Sequence, residues 1–93
     1  MGLILRLHNI VSENDFKVEF KNSLHPYPLN EGFIEYGIYT GGTSLIEMYD
    51  ETSWEFNSIY WIKITDLVTS RFLIKSIHTN DISAFADCFT LEL

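Results

Sequence analysis

Alternation of apolar and polar side chains with a period of two is the dominant pattern along this 93-residue chain. The clearest case is the run FKVEFK at 16–21, in which large apolar residues alternate with charged ones. Successive side chains of a β-strand point to opposite faces, so the pattern is typical of a strand with one buried face. Comparable runs recur at 3–8, 34–38, 44–49, 60–65, 72–75 and 88–93. The sequence therefore predicts an all-β fold of about seven short strands.

The length of the chain limits how these strands can be arranged. Ninety-three residues suffice for one domain and are too few for two. We therefore predict a single small antiparallel β-sandwich of the immunoglobulin or fibronectin kind over residues 1–93. One segment departs from the alternation, because Asn80 is a good helix cap and Ile82, Phe85 and Ala86 have helical spacing. We expect a short helical turn near 80–84, before the last strand.

The pair Gly41-Gly42 lies between two alternating runs, and it has two possible functions. A phosphate-binding loop would need a following Lys-Ser/Thr pair and a helix, and this sequence has neither after the glycines. Two glycines between strands instead suit a primed hairpin turn, which needs positive φ angles. Such a hairpin would place Ile38 opposite Leu45, and Ile34 opposite Tyr49. It would also place Ile34, Tyr36 and Ile38 on one face.

The charge of the chain is strongly acidic and unevenly distributed. The formal net charge is −7, and residues 22–62 contain no lysine or arginine. The same stretch holds six carboxylates: Glu31, Glu35, Glu47, Asp50, Glu51 and Glu55. An acidic surface repels phosphate backbones, which argues against a nucleic-acid partner and favours a basic protein surface. A solvated acidic face that only aids solubility remains an alternative.

Two aromatic-bearing loops are further candidates for contact with a partner. Tyr27 lies between two prolines in the loop at 22–32, and Trp54 lies among polar residues at 50–58. Large aromatics on loops can anchor a protein partner or stack on a sugar. They can equally fold over the open end of a sandwich and cap its core.

No catalytic or metal-binding motif is present in the sequence. A GxSxG nucleophile motif is absent, and no histidine has a partner at metal-ligand spacing. Asp50, Glu51 and Glu55 are acidic enough for calcium, but they lack the alternating aspartate pattern of a calcium loop. Cys88 is the only cysteine, so an internal disulfide is excluded. We predict a non-enzymatic protein with no metal and no cofactor.

The N-terminal sequence MGLILRLHNI has a short apolar run that Arg6 interrupts, with no cleavage site after it. It fits neither a signal peptide nor a membrane span. We therefore expect the protein in the cytoplasm or in a virion, with no membrane partner.

The stretch FIEYGIYTGGTSLIEMYDE, followed by IYWIKITD, resembles the small β-sandwich modules of bacteriophage particles, and the resemblance extends from about Phe33 to Ile77. It implies a non-enzymatic decoration, neck or tail component that binds other protein subunits, including copies of itself in a homo-oligomer. Two other classes stay open. One is a carbohydrate-binding module that uses Trp54, Trp61 and Tyr27, and the other is a small acidic inhibitor or immunity protein of a basic enzyme. The candidate partner-binding residues are Tyr27, Glu35, Glu47, Asp50, Glu51, Trp54 and Glu55.

Overall fold

A computed structural model of the chain describes residues 4–49, 54, 55, 57–79 and 83–86. Within these residues the structure has seven β-strands and no helix. The strands are β1 (Ile4–Leu7), β2 (Phe16–Asn22), β3 (Ile34–Tyr39), β4 (Ile46–Tyr49), β5 (Ile59–Asp66), β6 (Phe72–His78) and β7 (Ser83–Ala86). The prediction of an all-β chain is confirmed.

The strands form two sheets that pack into a small sandwich. Sheet 1 has the order β4-β1-β7, and sheet 2 has the order β3-β2-β5-β6. All pairs in sheet 2 are antiparallel, as predicted, whereas β1 pairs antiparallel with β4 and parallel with β7. An immunoglobulin constant-type domain places strands one, two, five and four in one sheet. The sandwich architecture is the predicted one, and its strand order differs from that of the immunoglobulin constant type.

The core lies between the sheets and follows the alternation of the sequence. Along β5, every second side chain is buried, and Ile62 and Ile64 are fully shielded from solvent. Burying such a side chain stabilises the fold by about 1.5–3 kcal/mol relative to leaving it exposed. Both sheets contribute to one cluster: Leu5, Leu7, Ile10, Phe16, Val18, Ile46, Met48, Trp54, Tyr60, Ile62, Ile64 and Ile77.

The C-terminal segment differs from the prediction of a helical turn at 80–84. Ser83 and Ala84 belong to strand β7, which pairs in parallel with β1. This pairing satisfies backbone groups that a helix would have satisfied internally, so the local helical spacing was misleading. Residues 80–82 and the predicted strand at 88–93 lie outside the described residues.

The Gly41-Gly42 pair is a turn, but it does not form the predicted hairpin. Strand β3 pairs with β2 and strand β4 pairs with β1, so the chain crosses between the two sheets at the glycines. The Thr43 N–H donates to the Thr40 carbonyl over 3.1 Å, and Gly42 has φ of 91°. A positive φ at the third residue of the turn alone marks type II, not a primed hairpin turn.

At the same end of the sandwich as this crossing, the carboxylate of Asp66 organises the turn between β5 and β6. It accepts backbone N–H groups of Val68 at 2.8 Å and Thr69 at 3.0 Å, and the side-chain amide of Asn14 at 3.1 Å. Asp66 is fully shielded from solvent. The hydrogen bond from the Thr69 N–H, with those from Val68 and Asn14, holds the pKa of Asp66 below its ordinary value.

The lowered pKa of Asp66 predicts a pH-dependent contribution to stability. This contribution is fully present above the unfolded value of about 3.9 and is lost as pH falls through the folded pKa. At about pH 7, Asp66→Asn should have a lower urea midpoint than wild type. At about pH 3, the midpoints of the two proteins should lie closer together. Glu13→Gln, at an exposed site of the same end, is the control. A difference between Asp66→Asn and wild type that is the same at both pH values would contradict the prediction.

Candidate functional site

Strand β3 forms an edge of sheet 2 to which no other described strand is added, and a β-bulge divides its side chains between the two faces. Val18 pairs with Gly37 and Glu19 pairs with Glu35, so Tyr36 is an extra residue on β3. The bulge directs Tyr36 toward the core, where Tyr39 also packs. Glu35 and Ile38 lie on the outer face, because their partners Glu19 and Lys17 alternate with buried residues.

The bulge overturns the prediction that Ile34, Tyr36 and Ile38 share a face. An extra residue in a strand shifts the alternation by one position, so Ile38 lies on the outer face instead of the core face. Gly37 provides the space for this arrangement, since a Cβ there would lie 3.3 Å from the Tyr39 ring. Tyr39 stacks on Phe16 with ring centroids 5.9 Å apart. Burial, with Tyr36 nearby, raises the pKa of the Tyr39 phenol.

The edges of β3 and β4 lie beside each other on one side of the sandwich. The hydroxyl of Tyr36 accepts a hydrogen bond from the Tyr49 backbone N–H over 3.0 Å, which joins the two sheets. Several apolar side chains stay exposed along this side. Ile34 and Ile38 are each 58% exposed, and Leu45 and Tyr49 are also more than half exposed.

Glu47 lies on β4, and its charge is already partnered within the chain. Its carboxylate accepts hydrogen bonds from the Arg6 side chain on β1 and from the Tyr49 hydroxyl, each over 3.1 Å. The hydrogen bond from Arg6, and after it the one from Tyr49, lowers the pKa of Glu47. The same bond to Glu47 raises the pKa of the Tyr49 phenol. Glu47 therefore remains negatively charged, with part of that charge offset by Arg6.

Glu35 differs from Glu47 in its surroundings. Its side chain is exposed, and no described cation forms an ion pair with it. Lys17, on the neighbouring strand, lies 3.8 Å from the Glu19 carboxylate instead. Glu35 is therefore the carboxylate on the β3 edge that is best placed to meet a partner's positive charge.

The loop at 23–33 folds down over the outer face of sheet 2, and two lysines hold it there. The Lys21 ammonium donates to the backbone carbonyls of Pro26, Pro28 and Glu31 at 2.9–3.1 Å. Lys63 donates to the Leu29 carbonyl over 2.9 Å, and both ammonium groups lie over the Phe33 ring. Lys21 and Lys63, which flank the acidic stretch in sequence, are thus engaged by the backbone of this loop.

Tyr27 stands out from the loop that these lysines hold. Its side chain is 68% exposed, and no described residue contacts it by a hydrogen bond or a ring contact. The structure therefore leaves Tyr27 free to serve as the predicted surface anchor. Leu24, on the same loop, is also largely exposed.

Trp54 is not a surface anchor, which corrects its prediction as a partner-binding residue. It is 8% exposed and lies within the core. Its ring meets those of Phe20 and Tyr60 edge-on, at centroid distances of 4.7 and 5.1 Å. Its Nε1–H donates to the Met48 carbonyl over 3.2 Å. The polar residues around Trp54 suggested a surface loop, but the ring caps the core between the sheets.

Of the remaining predicted site residues, Glu55 lies at the end of the sandwich near Trp54. The Glu55 side chain is exposed and accepts a hydrogen bond from Asn22 over 3.2 Å, while its backbone N–H donates to the Tyr60 hydroxyl. Asp50 and Glu51 lie outside the described residues. The structure thus brings Glu35 and Glu47 onto neighbouring edges, with Tyr27 and Glu55 on separate loops.

The sequence analysis predicted neither the bulge nor the binding of the loop by Lys21 and Lys63. A glycine inside a strand pattern is a known sign of a bulge, so Gly37 carried a usable signal. The lysines gave no such signal, because their partners are backbone carbonyls of a loop. Among the described residues, no three histidine, cysteine, aspartate or glutamate side chains converge on a point where a metal could bind.

Comparisons of this chain with protein-family models, curated proteins and solved structures found no match. In the described part of the chain, no helix is long and apolar enough to cross a membrane.

Proposed function

We propose that this chain is a non-enzymatic structural subunit that joins a larger assembly by protein–protein contacts. The assembly is a virion, with the chain as a bacteriophage head, neck or tail component, and the protein is found in the particle or in the cytoplasm of the producing cell. The observation that carries the proposal is the open β3 edge, on which Ile38 is 58% exposed beside the exposed carboxylate of Glu35.

Open edge strands support this kind of function for a physical reason. An edge strand presents unpaired backbone N–H and C=O groups, which readily pair with a strand of another chain. Exposed apolar side chains along such an edge add buried area when the partner binds, and they have no such partner in the free chain. The exposed side chains of Leu45, Tyr49 and Tyr27 extend the contact surface around the edge.

Of the other two classes, the acidic inhibitor keeps the stronger support. The exposed Glu35 would suit a basic enzyme surface as well as a basic neighbouring subunit. The carbohydrate-binding alternative loses its main stacking residue, because Trp54 is in the core. Trp61 is half-buried on the outer face of sheet 2. Of the three residues named for sugar stacking, Tyr27 is therefore the exposed one.

The size of the species that contains the chain in its natural source tests the proposal. We expect rate-zonal ultracentrifugation to place the chain with an assembly far larger than the 10.8 kDa monomer. A one-to-one complex with a single soluble enzyme, dissociated by salt, would favour the inhibitor instead. A stable, isolated monomer would contradict both.

A further inference from the structure

Among the described residues, β3 is an edge strand whose second side has no strand partner. Strand β4 has only four residues, and the Tyr36 hydroxyl already accepts its Tyr49 N–H. Strands β6 and β7, the edges on the other side, pack against each other. Strand β3 has six residues, and in the described part of the chain no strand pairs with its second side.

The side chains of the β3 edge specify what could pair with it. On the outer face, Glu35 offers a negative charge and Ile38 offers an apolar surface. Lys17 and Lys21, on the neighbouring strand, already have partners: Lys17 pairs with Glu19, and Lys21 donates to three loop carbonyls. A basic residue of a partner, beside Glu35, would therefore gain a charge interaction that the free chain lacks.

A second copy of this chain does not suit the edge. Two copies would bring together surfaces of chains that each carry a net charge of −7. The bulge at Tyr36 also twists the edge, which hinders flat pairing between two sheets. A single extended segment can follow the twist of the edge and supply the opposite charge.

We infer that the β3 edge takes up an extended segment of a neighbouring protein in which basic and apolar residues alternate. The segment would add a strand to sheet 2, with main-chain hydrogen bonds for affinity and side-chain contacts to Glu35 and Ile38 for specificity. This inference rests on the proposed assembly function and names the chemistry of the partner.

Binding of synthetic peptides to the purified full chain tests the inference. The probe is a fluorescent, capped eight-residue peptide of alternating lysine and valine, measured by anisotropy. One comparison peptide has glutamate in place of lysine, and another has alternate backbone nitrogens methylated so that strand pairing is blocked. The chain variants are Glu35→Lys and, as a matched charge change at the other end of the sandwich, Glu13→Lys.

We expect the lysine–valine peptide to bind at least about tenfold more tightly than the glutamate and the methylated peptides. Glu35→Lys should weaken this binding about tenfold, and Glu13→Lys should change it by less than about threefold. Equal binding of all peptides, equal effects of the two variants, or self-association that excludes the peptide would overturn the inference. None of these results would contradict the proposed assembly function, which is tested separately by sedimentation. A free monomer in the natural source would contradict that function itself.

Discussion

Trp54→Ala is expected to remove about 3–5 kcal/mol from the free energy of unfolding, the largest loss for any single change considered. The substitution leaves a cavity between Phe20 and Tyr60 and removes the hydrogen bond to the Met48 carbonyl. A domain of this size has a total stability of about 5–14 kcal/mol, so the variant would lose a large share of it. Urea unfolding followed by circular dichroism measures the change.

Tyr27→Ala is the matched control for the loss of Trp54, because it also removes a large aromatic from a loop. Tyr27 is 68% exposed, so its replacement should change the free energy of unfolding by less than about 0.5 kcal/mol. Similar losses for the two variants would contradict the placement of Trp54 in the core. The comparison also affects any sugar-binding test, since loss of binding by Trp54→Ala would reflect unfolding.

Gly41→Ala is expected to have the second largest effect, about 3 kcal/mol of lost stability. A Cβ at Gly41 would lie 2.8 Å from the carbonyl carbon of Glu13 and closer still to its oxygen. Both atoms belong to backbone that cannot rotate away. The shift would also disturb the hydrogen bond from the Gly41 N–H to the Asp15 carboxylate, now 3.0 Å long.

Gly42→Ala is the informative comparison, because the two glycines are constrained for different reasons. Gly42 has a positive φ, and a Cβ added there would meet nothing within 4 Å, so alanine should cost only about 1–2 kcal/mol of backbone strain. Gly42→Asn should cost less, since asparagine tolerates this conformation better. Urea unfolding measures both losses of stability. A greater loss for Gly42→Ala than for Gly41→Ala would contradict the close approach of Gly41 to the Glu13 backbone.

The strands were predictable from the sequence because a period of two records which side chains are buried. Strand β5 illustrates this, as its alternation in sequence matches its alternation in burial. The pairing of strands was not predictable in the same way, since partners are chosen by contacts between remote segments. The run from β3 through Gly41-Gly42 to β4 has the local pattern of a hairpin. In the structure, however, β3 pairs with β2 and β4 pairs with β1.

The candidate site was predictable in part. The acidic character around Glu35 and Glu47 was readable from the sequence, because residues 22–62 contain no lysine or arginine. The ion pair of Glu47 with Arg6 could not be predicted, since Arg6 reaches Glu47 only through the β1–β4 pairing. Burial of Trp54 was likewise hidden, because the rings that enclose it come from β2 and β5.

These differences leave a narrower candidate surface for partner contacts than the sequence suggested. Glu47 is partnered by Arg6, and Trp54 is in the core. Glu35, the exposed Ile38 beside it and the exposed Tyr27 on the nearby loop remain available to a partner. The proposed assembly through the β3 edge uses this surface.

Sedimentation of edge variants in the natural source tests this claim most directly. The comparison is between wild type, Ile38→Lys on the β3 edge and Val68→Lys at an exposed position of the β5–β6 turn, with folding of each variant checked by urea unfolding. The account predicts that wild type and Val68→Lys sediment with a large assembly, and that folded Ile38→Lys sediments as the free 10.8 kDa chain. Ile38→Lys in the assembly at the wild-type level, or wild type as a free monomer, would contradict it.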